Sequence, residues 1–288
     1  MTASAATTAR VATTFIPGRP RIAVDQAGEG PLVVMLHGIG GNRTNWTEQL
    51  LALADEGFTA VAWDARGYGA SEDYEGPLDF GDFSADLLRL LDHYATEKAH
   101  VVGLSMGGRI AQDFYHRNPG RVATLALCDT FIGYDQSFTP EKREEFLRLR
   151  QKPLLEGKDP ADIAPQVAAT LVSPGCPEPK YQRLVDSLSA LRKEMYLKTL
   201  ATTIRYDVQG RPADIKVPTV VIFGADDRLT TPEIGRKLAS EIDGAEYREL
   251  PNAGHLSNIE QPDAFNQALV GFLARHRERA TMRRPVGV

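Results

Sequence analysis

Apolar residues follow two distinct patterns along this chain. Residues 32–36 (LVVML) form an unbroken apolar run, which is typical of a strand that is covered on both faces. Residues 80–94 instead carry apolar side chains at the spacing of one face of a helix. The two patterns alternate, with further strands predicted at residues 59–63, 99–104, 122–127, 217–223 and 246–250, and further helices at 106–117, 233–242 and 262–275. This alternation predicts an α/β fold with a doubly wound, mostly parallel sheet and helices on both faces.

Two segments depart from the alternation. Residues 11–16 and 21–26 are alternating stretches separated by Pro17-Gly18, which predicts an opening antiparallel hairpin. Residues 130–208 show no strand pattern, and their helical patterns lie at 141–150, 161–171 and 181–203, with a Pro- and Gly-rich turn at 173–179. We therefore predict a core domain formed by residues 1–129 and 209–288, with a helical cap inserted at residues 130–208.

The charge balance argues against one class of function. The 288 residues include 33 Lys and Arg against 38 Asp and Glu, a net charge of −5, whereas nucleic-acid-binding domains are strongly basic. The one basic concentration, at residues 275–284, is expected to be the solvated end of the last helix. No stretch approaches the ~18 apolar residues of a membrane span, and the two cysteines, Cys128 and Cys176, are too few for a disulfide framework. The sequence thus predicts a cytoplasmic protein that binds neither nucleic acid nor membrane, and leaves open whether it forms a homo-oligomer.

The first candidate for chemistry is a serine. Residues 103–107 (GLSMG) form a G-x-S-x-G sequence between a predicted strand and a predicted helix. On such a turn the serine lies at the carboxyl end of the sheet in strained backbone with its hydroxyl exposed, which suits a nucleophile. A glycine-rich turn whose serine only caps the helix would have the same sequence, so the pattern by itself leaves both interpretations of Ser105 open.

A serine nucleophile requires a base and a carboxylate. The base takes the hydroxyl proton, and the carboxylate fixes the tautomer of the histidine that serves as base. Of the six histidines, His255 alone lies in a loop after the last predicted strand, where it would overhang the carboxyl edge of the sheet. Asp226 and Asp227 follow the strand at 217–223 and would lie at the same edge. The residues themselves do not choose between the two aspartates.

Together these motifs resemble the α/β-hydrolase superfamily, in which nucleophile, acid and base follow in this order after successive strands. The resemblance covers residues 22–274. It implies that Asp227 rather than Asp226 is the acid, because the loop in this superfamily usually runs Gly, two residues, then the catalytic Asp. Asp129 lies where a minority of the superfamily has its acid, and it is the alternative.

The resemblance also implies further site residues. It places two oxyanion donors at the backbone amides of Ile39, in the loop His37-Gly38-Ile39-Gly40, and of Met106. Residues 64–71 (DARGYGAS) match a D-x-R-G-x-G-x-S turn of the superfamily, which we interpret as structural. No cluster of carboxylates and histidines has metal-ligand spacing and no phosphate-binding loop follows a strand, so neither a metal nor another cofactor is predicted.

Within the superfamily the chain is most similar to 3-oxoadipate enol-lactonases and related small carboxylesterases. The similarity rests on residues 103–108 (GLSMGG), 224–231 (GADDRLTT) and 250–265 (LPNAGHLSNIEQPDAF). It implies a serine hydrolase that cleaves an ester or (enol-)lactone of a small organic acid through an acyl-enzyme intermediate. Ser105 would attack the carbonyl, His255 would take and return the proton, and Asp227 would orient the imidazole.

Two other functions share the same motifs. Carbon–carbon bond hydrolases of ring-cleavage products have this fold and triad, although their oxyanion loop is longer than the HGIGGN sequence found here. Some members of the superfamily are small-ligand receptors that retain a triad. The cap residues Arg192, Lys193 and Arg205 are candidates for binding a substrate carboxylate, and a solvated helix face is the alternative for them.

Overall fold

The buried strands divide their side chains between two apolar layers. In strand β3 (Leu32–Leu36) of the computed structural model, which describes residues 10–133, 138–207 and 209–283, every residue is buried. Val34 and Leu36 belong to one hydrophobic cluster, and Val33 and Met35 belong to a second. The sheet is therefore covered on both faces, as the unbroken apolar run predicts.

The sheet is mostly parallel. Its other strands are β1 (Ala12–Ile16), β2 (Ile22–Ala27), β4 (Thr59–Trp63), β5 (Thr96–Leu104), β6 (Val122–Cys128), β7 (Thr219–Gly224), β8 (Glu246–Leu250) and β9 (Thr281–Met282). Their order is β1-β2-β4-β3-β5-β6-β7-β8, with β9 paired to β5. Strands β1 and β2 form the predicted antiparallel hairpin, β2 is antiparallel to β4, and the strands from β4 to β8 are parallel.

Helices cover both faces of this sheet. They are α1 (Thr47–Asp55), α2 (Gly81–His93), α3 (Met106–Arg117), α8 (Pro232–Glu241), α9 (Ser257–Glu260) and α10 (Pro262–Arg275). The apolar residues of α2, α3 and α8 belong to the first cluster, and those of α1 and α10 belong to the second. The predicted doubly wound α/β architecture is confirmed.

The described residues between β6 and β7 form four α-helices, and we call them the cap helices. They are α4 (Pro140–Leu155), α5 (Pro160–Leu171), α6 (Glu178–Ser189) and α7 (Lys193–Arg205). The prediction of a single helix at residues 181–203 is wrong, because the helix is interrupted between α6 and α7. Arg192 has extended backbone there, and its guanidinium donates to the carbonyls of Gly69 and Ser71 and pairs with Asp73. The break thus lets Arg192 bind the loop after β4.

Two further elements differ from the sequence prediction. Helix α1 was not predicted, although Leu50, Leu53 and Ala54 have helical spacing and are buried. The basic segment at 275–284, of which residue 284 lies outside the described residues, agrees only in part with the prediction: Arg275 and Arg279 are exposed at the end of α10, but Arg277 lies over the ring of Phe58 and donates to the carbonyl of Gly57, and β9 follows. Within the ranges described above, no helix is long and apolar enough to cross a membrane.

Candidate active site

Ser105 occupies a strained turn between β5 and α3. Its φ and ψ are 55° and −117°, a region that non-glycine residues rarely adopt. The Ser105 side chain makes no capping hydrogen bond to the helix, so the helix-cap interpretation of this serine is not supported. The Ser105 amide donates to the carbonyl of Cys128 at 2.9 Å, and the Thr130 hydroxyl donates to the Ser105 carbonyl at 2.7 Å. These bonds fix the turn and leave the serine hydroxyl at the carboxyl edge of the sheet.

Two glycines around Ser105 are required by close packing. A Cβ on Gly103 would lie 2.2 Å from the carbonyl oxygen of Gly107. A Cβ on Gly107 would lie 2.1 Å from the carbonyl oxygen of Leu36. Both distances are far below van der Waals contact with backbone atoms that cannot move away. The two glycines of the G-x-S-x-G sequence therefore allow α3 to start directly against β3 and β5.

His255 lies in the loop between β8 and α9, and its side chain is buried. Its Nδ1 is 2.8 Å from Oδ2 of Asp227 and 3.1 Å from the hydroxyl oxygen of Thr230. Because a carboxylate can only accept, we assign the proton of the neutral ring to Nδ1. Nε2 is then the ring nitrogen available to take a proton.

Asp227 lies in the loop after β7 and is buried. Its Oδ1 accepts hydrogen bonds from the amides of Leu229 and Thr230, at 2.8 and 3.0 Å, and its Oδ2 accepts one from the Thr230 hydroxyl at 2.7 Å. Burial raises the pKa of this carboxyl, but the His255 charge and these hydrogen bonds outweigh it, so the pKa lies below its usual value. Asp226 has no such position: its amide donates to the carbonyl of Ala253. The structure thus brings Asp227, and not Asp226, to His255.

Asp129 connects the two loops that hold Asp227 and His255. It is fully buried at the end of β6 with φ of 44°. Its Oδ1 accepts from the amide of Gly224, at the end of β7, at 2.8 Å, and its Oδ2 accepts from the hydroxyl of Ser257, two residues after His255, at 2.5 Å. Burial and the nearby charge of Asp227 raise the pKa of Asp129 to about 8. No hydrogen bond joins Asp129 to His255 in the described part of the chain, so the structure places it beside the Asp227–His255 pair rather than in it.

The electrostatics of His255 suit a base. Burial disfavours the imidazolium, but the charge of Asp227 and its hydrogen bond to Nδ1 outweigh burial, so the pKa of His255 lies above the usual value of 6.5. A base with a raised pKa takes a proton from a serine more readily.

The loop after β3 brings Ile39 to the cavity that Ser105 also lines. His37 holds this loop: its Nδ1 donates to the Gly38 carbonyl at 2.7 Å, and its Nε2 accepts from the Ala65 amide at 3.0 Å. Burial lowers the pKa of His37, which keeps the ring neutral and both bonds intact. Among the described residues, no hydrogen bond occupies the amide of Ile39 or that of Met106, the first residue of α3. Both predicted oxyanion donors are therefore available to a ligand.

The turn at residues 64–71 contacts this loop and helps to hold it in place. The Asp64 carboxylate accepts from the Arg43 amide at 2.7 Å, pairs with the Arg43 guanidinium, and accepts from the Ala70 amide at 2.7 Å. Ala65 in the same turn donates to His37, as described above. Arg66 pairs with Asp86 on α2 at 2.7 Å. The contacts of this turn are thus structural, in line with its interpretation from the sequence.

Ser105, His255 and Ile39 line one cavity of about 60 Å³. The rest of its wall is mainly leucine, and these residues are Leu104, Leu171, Leu184, Leu188, Leu229 and Leu256. The cap supplies Leu171 from α5 and Leu184 and Leu188 from α6. The cap thus supplies part of the apolar wall beside the serine.

The three cations predicted to meet a substrate carboxylate lie elsewhere. None of Arg192, Lys193 and Arg205 lines the cavity. Arg192 pairs with Asp73 at 2.5 Å, Lys193 with Asp159 at 3.6 Å and Arg205 with Glu144 at 2.6 Å. Lys193 and Arg205 thus pair with other cap residues at the surface, whereas Arg192 binds the loop after β4.

A search for relatives finds a match to the model of the alpha/beta hydrolase family over residues 33–268. The chain belongs to this family. The predicted α/β-hydrolase fold is confirmed. This alpha/beta hydrolase is 30% identical, over 88% of its own chain and 91% of the relative, to a 2-hydroxy-6-oxononadienedioate/2-hydroxy-6-oxononatrienedioate hydrolase from Escherichia coli.

Two solved structures of the family are also similar. The enol-lactonase from Burkholderia xenovorans LB400 has 29% identity and a TM-score of 0.79, covering 92% of this chain and 100% of that one. A thermophilic esterase from Thermogutta terrifontis has 27% identity and a TM-score of 0.83, covering 93% of this chain and 99% of that one. The predicted relation to lactonases and esterases is confirmed.

Several residues of this hydrolase site were not found from the sequence. Thr230 contacts both Asp227 and His255, and Ser257 and Glu260 hold the two loops around them. Their position in the stretches 224–231 and 250–265 is the signal that could have found them, because both stretches carry the lactonase resemblance. The leucines from the cap had no comparable signal.

Proposed function

We propose that this hydrolase is a serine hydrolase that cleaves small-molecule carboxylic esters or lactones through an acyl-enzyme intermediate. The observation that carries the proposal is the shared cavity of Ser105 and His255, with Asp227 bound to the opposite nitrogen of the imidazole. A nucleophile, a base and an orienting carboxylate in this order are what acyl transfer requires.

The reaction begins when Oγ of Ser105 attacks the substrate carbonyl and Nε2 of His255 takes the serine proton. Asp227 stays ionised and stabilises the imidazolium through Nδ1. The imidazolium then gives its proton to the leaving alkoxide, and the acyl group remains on Ser105. Water attacks this ester next, with His255 again acting as base, and the acid is released.

The tetrahedral intermediates carry a negative oxygen, and the amides of Ile39 and Met106 are the groups proposed to bind it. Met106 is the first residue of α3, so its amide also lies at the positive end of the helix dipole. Such donors stabilise the charge most where water is excluded, and the apolar cavity wall provides that environment.

A second candidate function is carbon–carbon bond hydrolysis. The name of the E. coli relative supports it. The substrate named for that relative is a dioate, which carries two carboxylates. Leucines form most of the cavity wall, and the described part of the chain places no cation in it, which favours the ester or lactone reaction for this chain.

The test compares p-nitrophenyl butyrate, γ-butyrolactone and a coloured dienol ring-cleavage product as substrates. The proposal predicts turnover of the ester or the lactone, and Ser105→Ala should reduce kcat/KM by at least ~1,000-fold. Ser240→Ala on α8 is the matched control, because this serine donates only to the Lys237 carbonyl. Loss of the dienol absorbance with no ester or lactone turnover would instead establish the second candidate.

A further inference from the structure

The described residues that line the cavity are mostly apolar, and among them only His255 has an ionisable side chain. Leu184, Leu188 and Leu229 face it together with Ile39, and its polar members besides Ser105 and His255 are Asn45 and Ser187. The hydroxyl of Ser187 already donates to the Gly40 carbonyl and accepts from the Asn42 side chain. A substrate carboxylate would therefore meet no cation among the described residues of this wall.

Three cations that lie close in sequence to lining residues are bound to other groups. Arg183 and Lys180 lie on α6, close in sequence to Leu184. Arg183 pairs with Glu48 at 2.6 Å, and Lys180 donates to the Glu260 carbonyl at 2.6 Å. Arg228 precedes the lining residue Leu229 and donates to the carbonyls of Ala169 and Val172. To bind a substrate carboxylate, each would have to give up a contact that holds the cap to the core.

Asp227 places a negative charge beside His255, because the pKa of this carboxyl lies below its usual value. A carboxylate brought into the cavity would lose its water against leucine side chains and would approach this charge. Burial of an unpaired charge is strongly unfavourable, so such a substrate would bind poorly.

The cavity also leaves little room for an acyl chain. A Cβ on Gly40 would lie 2.5 Å from Cδ2 of Leu188, so helix α6 packs directly on the oxyanion loop. About 60 Å³ of space is open beside Ser105. The space beside Ser105 therefore suits a short acyl chain.

From this wall we infer that the substrates are esters or lactones whose acyl part is short and uncharged. A compound with a free carboxylate on its acyl chain is then not a substrate. The inference rests on the proposed ester or lactone hydrolysis and narrows its substrate class.

The test uses three p-nitrophenyl esters of five-carbon acids: the pentanoate, the glutarate half-ester with its free carboxylate, and the methyl glutarate diester, its neutral counterpart. Spontaneous hydrolysis is subtracted with Ser105→Ala. For the wild type we expect kcat/KM for the pentanoate to exceed that for the half-ester by ~30-fold or more, and a smaller ratio overturns the inference.

A charge variant separates charge from size. Leu229 lines the cavity and is 46% exposed, so Leu229→Arg adds a cation at the site without burying it. Leu149→Arg, at a residue 54% exposed on α4, is the matched control. We expect the pentanoate to half-ester ratio to fall by ~10-fold or more in Leu229→Arg and to stay at the wild-type value in Leu149→Arg.

An unchanged ratio in Leu229→Arg shows that charge does not select the substrate and overturns the inference. If Leu229→Arg does not fold, the comparison of the methyl glutarate diester with the half-ester tests the inference. Faster turnover of the diester supports exclusion by charge, and equal turnover of the two esters overturns the inference. Failure of the proposed function is distinct, because no ester would then be cleaved or Ser105→Ala would cleave them as well as the wild type.

Discussion

The backbone amide of His255 donates a hydrogen bond of 2.7 Å to the carbonyl oxygen of Leu171, the last residue of cap helix α5. Glu260 reinforces this junction, because its Oε2 accepts from the Ser173 amide and its Oε1 from the Gly254 amide, at 2.9 and 2.8 Å. The end of α5 is thus bound to the loop that carries the base. We infer that the cap positions His255 as well as lining the cavity.

Glu260→Gln should weaken this junction. A glutamine has one acceptor oxygen, so one of the two buried amides would face an NH₂ group, which costs about 1–3 kcal/mol of unfolding free energy. We expect a lower Tm and a kcat reduced by ~10-fold, because His255 is held less firmly. Glu178→Gln, at an exposed position on α6, is the control. A Glu260→Gln enzyme with wild-type Tm and kcat would contradict a positioning role for the junction.

The pH dependence of kcat/KM should follow His255. Activity requires the neutral imidazole, and the Asp227 charge and hydrogen bond, which outweigh burial, raise its pKa. The rate should therefore rise with pH through a midpoint above the usual 6.5. Measurement of kcat/KM from pH 5 to 9 with a neutral ester tests this expectation. A midpoint below 6.5 would show that burial dominates.

Asp227→Asn should shift that midpoint downward, because burial then acts on the imidazole without the Asp227 charge and hydrogen bond. It should also reduce the rate on the order of 10⁴-fold, since the amide no longer selects the productive tautomer. Asp226→Asn is the adjacent control, and its midpoint and rate should remain close to wild type. If Asp226→Asn were the more damaging variant, the assignment of the acid would be wrong.

Asp129 gives a prediction about stability and pH. Its pKa of about 8 in the folded protein lies above the value of ~3.9 expected in the unfolded chain, so the fold favours its protonated form. Its contribution to the free energy of unfolding is complete at low pH and declines as the pH rises from about 4 to about 8. Asp129→Asn resembles the protonated carboxyl and lacks this decline. The Tm of the wild type should therefore fall more than that of Asp129→Asn between pH 5 and 8.5, and parallel Tm profiles would contradict it.

The oxyanion loop can be tested at the backbone. Ile39→Pro removes the amide proposed to bind the oxyanion and should reduce kcat by about 100-fold or more. Ile39→Val keeps the amide and should be nearly silent, so it is the matched control. Both should be assayed on the same ester, with Tm measured to confirm folding. Equal effects of the two substitutions would show that the side chain, and not the amide, is what matters at this position.

Much of the fold could be predicted because buried parallel strands leave a simple signal. The apolar run at β3 and the alternation after it depend only on burial on both faces of a sheet. Helix α1 was missed because its nine residues follow a glycine-rich loop and are too short to give a strong period. The division between α6 and α7 depends on the contact of Arg192 with residues 69–73, which are distant in sequence.

The candidate site, like the fold, could be predicted only in part. Ser105, Asp227 and His255 lie directly after strand ends, and the topology of a parallel sheet brings such positions to one edge. The choice of Asp227 over Asp226 needed the family resemblance, since both follow β7. The leucine wall depends on how the cap packs over the core, which no local pattern encodes. For the same reason, the sequence offered Arg192, Lys193 and Arg205 as carboxylate ligands although they are paired at the surface.

The most direct test of the central claim is kcat/KM for p-nitrophenyl butyrate with the wild type and Ser105→Ala, measured with intact-mass analysis of enzyme quenched during turnover. The account predicts hydrolysis by the wild type, a butyryl group on the peptide that contains Ser105, and a loss of at least ~1,000-fold in Ser105→Ala. Comparable rates for the two proteins, or an acyl group on any other residue, would contradict it.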